Sequence, residues 1–181
     1  MAPAAGTYHL GPDDGTLSLH TRRTGAAAKA GHDLLIDVTA WEGTLTVGDA
    51  PGDVAVEVVA DTGSLKVREG HGGVQALGDD DKANIETTIH DEILKRDRIT
   101  FRSTGAEPGA DGRVTVHGDM TMLGVTAPLD IDLALGGGGA VAGSAVVAQS
   151  RWGMKPYSIL FGTLKVVDEV GVELRATLPG G

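Results

Sequence analysis

The chain has 181 residues, 15 Lys and Arg against 25 Asp and Glu, a formal net charge of −10 and an isoelectric point near 4.9. Such an acidic excess repels phosphate backbones and anionic leaflets, which speaks against nucleic-acid binding and electrostatic docking on a membrane, and no run approaches ~20 apolar residues, which speaks against stable membrane insertion. Cysteine is absent, so disulfides, thiolate metal sites and thiol nucleophiles are excluded together, and the length suits a single domain, 1–181, with its own core.

The opening residues, Met1 to Tyr8, have no basic start and no apolar stretch of signal-peptide length, so the expected location is the cytoplasm. Thr7–Leu10 and Thr16–Arg22 are strand-like and are separated by Gly11–Gly15, a run of turn formers. Gly25–Gly31 is a small-residue connection. In Leu34–Trp41 the residues Ile36, Val38 and Ala40 share a face, after which Trp41, Leu45 and Val47 take the opposite parity. A bulge or bend near Glu42-Gly43 would produce that change of phase.

Val54–Ala60 is a further strand with Ser64–Val67 as its candidate continuation, and the glycines from Gly70 to Gly78 mark a loop. One helical signal follows. Ile85, Ile89 and Ile93 recur at i, i+4 and i+8, with Asp79 to Asp81 before them and Lys95-Arg96 after them, a polarity that suits the helix dipole. This predicts a short helix over 81–95, laid across one end of a sheet structure with its isoleucines facing in.

Beyond it the period becomes two. Arg98–Thr104 leads to Val114–Leu123, where Val114, Val116, Met120 and Met122 share one face and Thr115, His117, Asp119 and Thr121 the other. Leu129, Ile131, Leu133 and Leu135 alternate with Asp130 and Asp132 in the same way, and Gly124–Pro128 lies between the runs, which makes an antiparallel hairpin. Gly136–Gly139 is a turn without the Lys-Ser/Thr ending of a phosphate loop. Ala140–Gln149, Ile159–Val167 and Val170–Leu178 complete the strands. Many strands, turn signals and almost no helix point to a sandwich or a closed barrel.

The hairpin also carries a resemblance. Ile99-Thr-Phe-Arg-Ser-Thr104, followed by Gly118-Asp-Met-Thr-Met-Leu-Gly-Val-Thr-Ala-Pro-Leu129, resembles the paired signature of the YceI family of lipid-binding proteins. Ser150–Ser158 is similar to that family's Arg-x-Phe-Gly segment, with Trp152 in place of the usual Phe. The resemblance implies an extended eight-stranded antiparallel barrel, lipocalin-like in shape, whose hydrophobic channel holds an isoprenoid, an isoprenoid quinone or a fatty-acid derivative. It also implies a homodimer, as many relatives form, and no cofactor. Many relatives are exported, whereas this chain as given shows no signal peptide. The larger ring of Trp152 predicts a shorter or thinner ligand than the family's longest.

Candidate chemistry is sparse. No Gly-x-Ser-x-Gly elbow occurs, and the histidines His9, His20, His32, His71, His90 and His117 show no metal-ligand spacing. His32, beside Asp33 and just before a strand, is a candidate for hydrogen-bonding a ligand head group; capping a loop is the plainer alternative. Trp41, Phe101, Met120, Met122, Trp152, Met154, Tyr157 and Phe161 either pack a core or line a tunnel. Parity cannot separate these, because both are apolar, and the resemblance favours the tunnel. The small side chains of Ala140, Ala142, Gly143, Ala145 and Ala148 agree with an open interior. The expectation is a non-catalytic lipid carrier or sequestering protein. Its rivals are a lipid-modifying enzyme using His32 and Asp33 or His117, and a packed barrel acting as a stress-related interaction module.

Overall fold

The computed structural model describes residues 3–180. In chain order it contains β1 (Gly6–Leu10), β2 (Gly15–Thr21), β3 (Arg23–Thr24), β4 (His32–Val38), β5 (Trp41–Val47), β6 (Val54–Asp61) and β7 (Leu65–Gly72). Helix α1 (Asp79–Thr87) follows and continues through a π-helical stretch, Thr88–Ile93. Then come β8 (Arg98–Pro108), β9 (Arg113–Met122), β10 (Val125–Leu135), β11 (Ala140–Ala148), β12 (Ser158–Ile159), β13 (Leu164–Val166) and β14 (Glu169–Thr177).

Eleven strands form one antiparallel sheet, ordered β1-β5-β6-β8-β9-β10-β11-β14-β2-β4-β7, and β12, β13 and β3 form a small second one. The expected number was eight, and the difference lies in three breaks. Leu10 faces Gly43 and Leu17 faces Val38, so β1 and β2 are two halves of one length of chain running along β5 and β4. Likewise Val38 faces Leu65 and Trp41 faces Ala60, so β6 and β7 are halves of the next length. Counted as lengths of chain the strands are eight. Because β2 also pairs with β14, the sheet curls back onto its first strand and is barrel-like.

Alternation decides which residues face inward. Along β9, Val114, Val116, Gly118, Met120 and Met122 are buried, while Arg113, Asp119 and their neighbours reach solvent. The β9–β10 turn is two residues long, with Leu123 at φ 51° and Gly124 at φ 76°, the doubly left-handed geometry that matches strand twist in a tight hairpin. Of the bulge or bend expected near Glu42-Gly43, the structure has the bend, slightly earlier in the chain, while Glu42 and Gly43 pair regularly with Val59 and Val58. The bend falls at Thr39-Ala40, where the strand breaks. There the amide of Thr39 donates to Ser64 O at 3.1 Å and that of Asp61 to Ala40 O at 3.0 Å.

The helix begins two residues earlier than the predicted 81–95 and closes a defect in the wall. Strand β7 has a strand partner on one side only, and an unpaired edge leaves backbone groups exposed. Glu86 accepts the Val67 N–H at 2.8 Å and the Lys66 ammonium at 2.9 Å. Lys82 donates to Arg68 O at 3.0 Å, and the buried His90 donates through Nε2 to Leu65 O at 2.9 Å. Side chains of the helix thus stand in for a missing strand.

Burial acts to raise the Glu86 pKa, but the Lys66 ammonium and the Val67 amide outweigh it and hold the carboxyl below the ordinary carboxylate range. A depressed folded-state pKa stabilises the fold fully above the unfolded value, and that contribution fades as pH falls through the folded one. Glu86→Ala strands a buried N–H and is expected to cost about 1–3 kcal/mol at neutral pH. Urea unfolding of both proteins across the acid range checks this, with the gap between them narrowing as Glu86 protonates. Equal stability at neutral pH would show that the edge needs no cover.

Candidate functional site

The inward faces of the strands and the isoleucine face of the helix enclose a cavity of about 510 Å³, within the roughly 300–1,000 Å³ range of small-molecule sites. The lining is almost wholly apolar, from Leu17 and Leu19 on β2 through Val56 and Val58 on β6 to Val172 and Leu174 on β14. Ile85, Ile89 and Ile93 contribute the helical side. No Lys or Arg lines the space, and among the described residues no group of three or more His, Asp and Glu is arranged to hold a metal ion.

Of the residues singled out in the sequence, Trp41, Phe101, Met120, Met122, Met154 and Tyr157 line this cavity. Trp41 sits at the corner where β4 breaks from β5. Its indole N–H is buried and has no hydrogen-bond partner among the described residues, a condition that costs about 1–3 kcal/mol. Phe101 lies against Gly118, which faces inward on the paired strand; a Cβ at Gly118 would come within 2.4 Å of the Phe101 ring. That glycine was readable from parity and was passed over.

Three other residues lie elsewhere. Trp152 is only 2% exposed, but its Nε1–H donates to Met120 O at 2.9 Å and it is not among the lining residues. Its turn, Gln149–Trp152, lies against β10, where Arg151 donates to Pro128 O at 3.2 Å. The extra volume of the indole therefore falls within the wall, and the expectation of a narrowed channel loses its basis. Phe161 is fully exposed. His32 bonds through Nε2 to Gln75 O at 2.7 Å, and Asp33 accepts the Arg23 N–H at 2.8 Å, so the two tie down separate loops and do not pair with each other.

His117 is on the outer face. Its Nδ1 bonds Asp130 at 2.7 Å, and that carboxylate, with Glu107 beyond it, raises the imidazole pKa in spite of slight desolvation. Of the small residues on β11, Gly143 and Ala145 line the cavity, whereas Ala140 and Ala142 face solvent.

Near one end the lining passes from the main sheet to the small one. Met154, Tyr157, Ile159 and Val166 form this part of the wall, with Thr21 and Gln149 beside them. A curled antiparallel sheet around an apolar space, with a helix over its open edge, defines a barrel-like container for an apolar molecule. The chain belongs to the YceI-like family, whose domain matches residues 8–178.

Solved structures with the same fold are distant in sequence. BcnA of Burkholderia cenocepacia has a TM-score of 0.65 at 12% identity, over 89% of this chain and 94% of its own. A polyisoprenoid binding domain from Saccharophagus degradans, implicated in plant cell wall breakdown, has a TM-score of 0.54 at 9% identity, covering 97% and 100%. The YceI protein of Campylobacter jejuni has a TM-score of 0.53 at 13% identity, covering 78% and 83%. No curated protein matches the sequence.

Gly143 offers a clean test of the cavity. A Cβ there would meet Leu174 and Leu133 at 3.5 Å and 3.7 Å, ordinary contact distances, with no clash to relieve. Gly143→Leu should therefore fill interior space while leaving the melting temperature within a few degrees. Binding of an apolar fluorescent probe should fall at least tenfold, and undiminished binding would mean that the probe sits elsewhere.

Proposed function

We propose that the protein binds an extended apolar lipid in its interior, an isoprenoid, an isoprenoid quinone or a fatty-acid derivative, and carries or sequesters it without covalent chemistry. The observation that supports this is the cavity of about 510 Å³ with an almost entirely apolar lining and no cation along it. Each buried CH₂ gains about 0.8 kcal/mol on leaving water. A bilayer offers a similar gain, so a soluble container has little net advantage over a membrane. Moving or withholding a scarce lipid fits that balance better than bulk storage.

The residues we assign to the ligand are Trp41, Phe101, Met120, Met122, Met154 and Tyr157. The thioethers of Met120 and Met122 adapt to chains of uncertain shape. The ring of Trp41 adds a flat apolar face to the same wall. The polyisoprenoid binding domain with the same fold supports the ligand class. The enzyme reading gains nothing from His32, Asp33 or His117, since none of them lines the cavity.

Native mass spectrometry followed by solvent extraction should reveal a stoichiometric apolar adduct, whose mass gives chain length and head group. A protein that stays clean after incubation with isoprenoids, quinones and fatty acids would overturn the proposal.

A further inference from the structure

Charge is distributed unevenly along this acidic chain. Between Asp14 and Asp33 the Lys, Arg, Asp and Glu positions are all cations, Arg22, Arg23 and Lys29, and between Asp132 and Asp168 they are again all cations, Arg151, Lys155 and Lys165. Folding joins the two acid-free stretches. In the small sheet Lys165 faces Thr24 and Val166 faces Arg23, and the Ala27 amide donates to Thr163 O at 2.9 Å. Arg22 approaches Glu169 at 3.8 Å. Lys29, Lys155 and Lys165 are exposed, and among the described residues they take part in no ion pair.

From this basic lobe an apolar turn projects. Leu160 is 53% exposed and Phe161 fully so, and Leu160, Phe161 and Gly162 have φ of 53°, 56° and 82°. Two large side chains held in left-handed backbone carry strain. That strain buys no burial, because Phe161 points away from the protein. A second exposed apolar side chain, Val74, lies just past the end of β7, where Arg23 donates to His71 O at 2.7 Å. At the base of the turn, Tyr157, Ile159 and Val166 are cavity wall. Apolar tip, cationic collar and one end of the cavity are thus parts of one short piece of structure.

We propose that this lobe docks the protein on an anionic lipid bilayer, with Leu160 and Phe161 inserted among the acyl chains and Lys29, Lys155 and Lys165 against the headgroup phosphates. A single protruding turn offers a rigid protein partner little area to bury, whereas a bilayer closes around it. The rest of the surface, being acidic, is repelled from the same membrane, so only this end approaches. The net charge argues against docking by the molecule as a whole and in favour of docking by one end. The inference builds on the container reading, because an end of the cavity held at the bilayer gives a lipid chain a route that avoids water.

Flotation with vesicles of phosphatidylcholine and phosphatidylglycerol in equal parts, against phosphatidylcholine alone, tests the proposal. The protein should float with the anionic vesicles at low salt and be released as salt is raised. Phe161→Asp should cut partitioning at least tenfold, and the double change Lys155→Glu with Lys165→Glu should cut it at least as far, given roughly fivefold per lysine at an anionic surface. Val146→Asp, an exposed apolar position on the barrel wall, should change nothing. Absence of flotation, or equal flotation of all variants, overturns the docking surface; so does a dimer that Phe161→Asp dissolves while the unaltered protein ignores vesicles. Extraction of the same samples separates the two readings. A lipid-free protein that floats refutes the container, and a lipid-loaded protein that does not float refutes the docking.

Discussion

Everything else in this barrel depends on the covering of one strand edge. A filled core lets side chains hold the walls together, but an interior of about 510 Å³ forgoes much of that packing. The backbone ladder must then carry more of the structure, and the ladder has a gap at β7. Glu86, His90 and Lys82 supply at that edge the donors and acceptors that a neighbouring strand would have supplied. The same helix turns Ile85, Ile89 and Ile93 to the cavity. One element therefore covers the β7 edge and shapes the space, which ties the stability of that edge to the presence of the site; β1, at the other end of the sheet, also pairs on one side only.

The interior is kept open by residues chosen for what they lack. Gly118 gives its space to the ring of Phe101, and Gly143 leaves a gap between Leu133 and Leu174. Around these, Met120 and Met122 form a deformable surface. Trp41 is placed where the wall bends, with its indole N–H buried.

Much of the fold was legible because strands with one apolar face leave a period of two in the sequence. Val114 to Met122 and Leu129 to Leu135 came through with the correct face inward. The phase change near Trp41 was legible but its place and kind were not, since parity reports that a strand has changed face without telling a bulge from a break. Glu86 and His90 left no signal at all, because their partners are backbone groups of another element. Parity had nothing to offer for Trp152 and Phe161 either, as both lie outside regular strands and occupy opposite extremes of exposure. Whether the interior is hollow was not encoded in any pattern of polarity, for a solid core and an apolar cavity ask for the same residues. Net charge likewise carries no record of where the charges lie: Arg22, Arg23 and Lys29, and Arg151, Lys155 and Lys165, fall in stretches free of Asp and Glu.

The three strand breaks fall side by side: Gly11 to Asp14, Thr39-Ala40, and Thr62 to Ser64. Together they form a crease across adjoining strands, bridged by a few hydrogen bonds such as those from Thr39 and Asp61 in place of a continuous ladder. The wall is therefore two panels meeting along a line, held across Thr39, Ala40 and Ser64 by side-chain hydrogen bonds as well as backbone ones. Trp41 sits on the crease with its ring in the cavity. A molecule that engages this side chain therefore touches the line along which the two panels join.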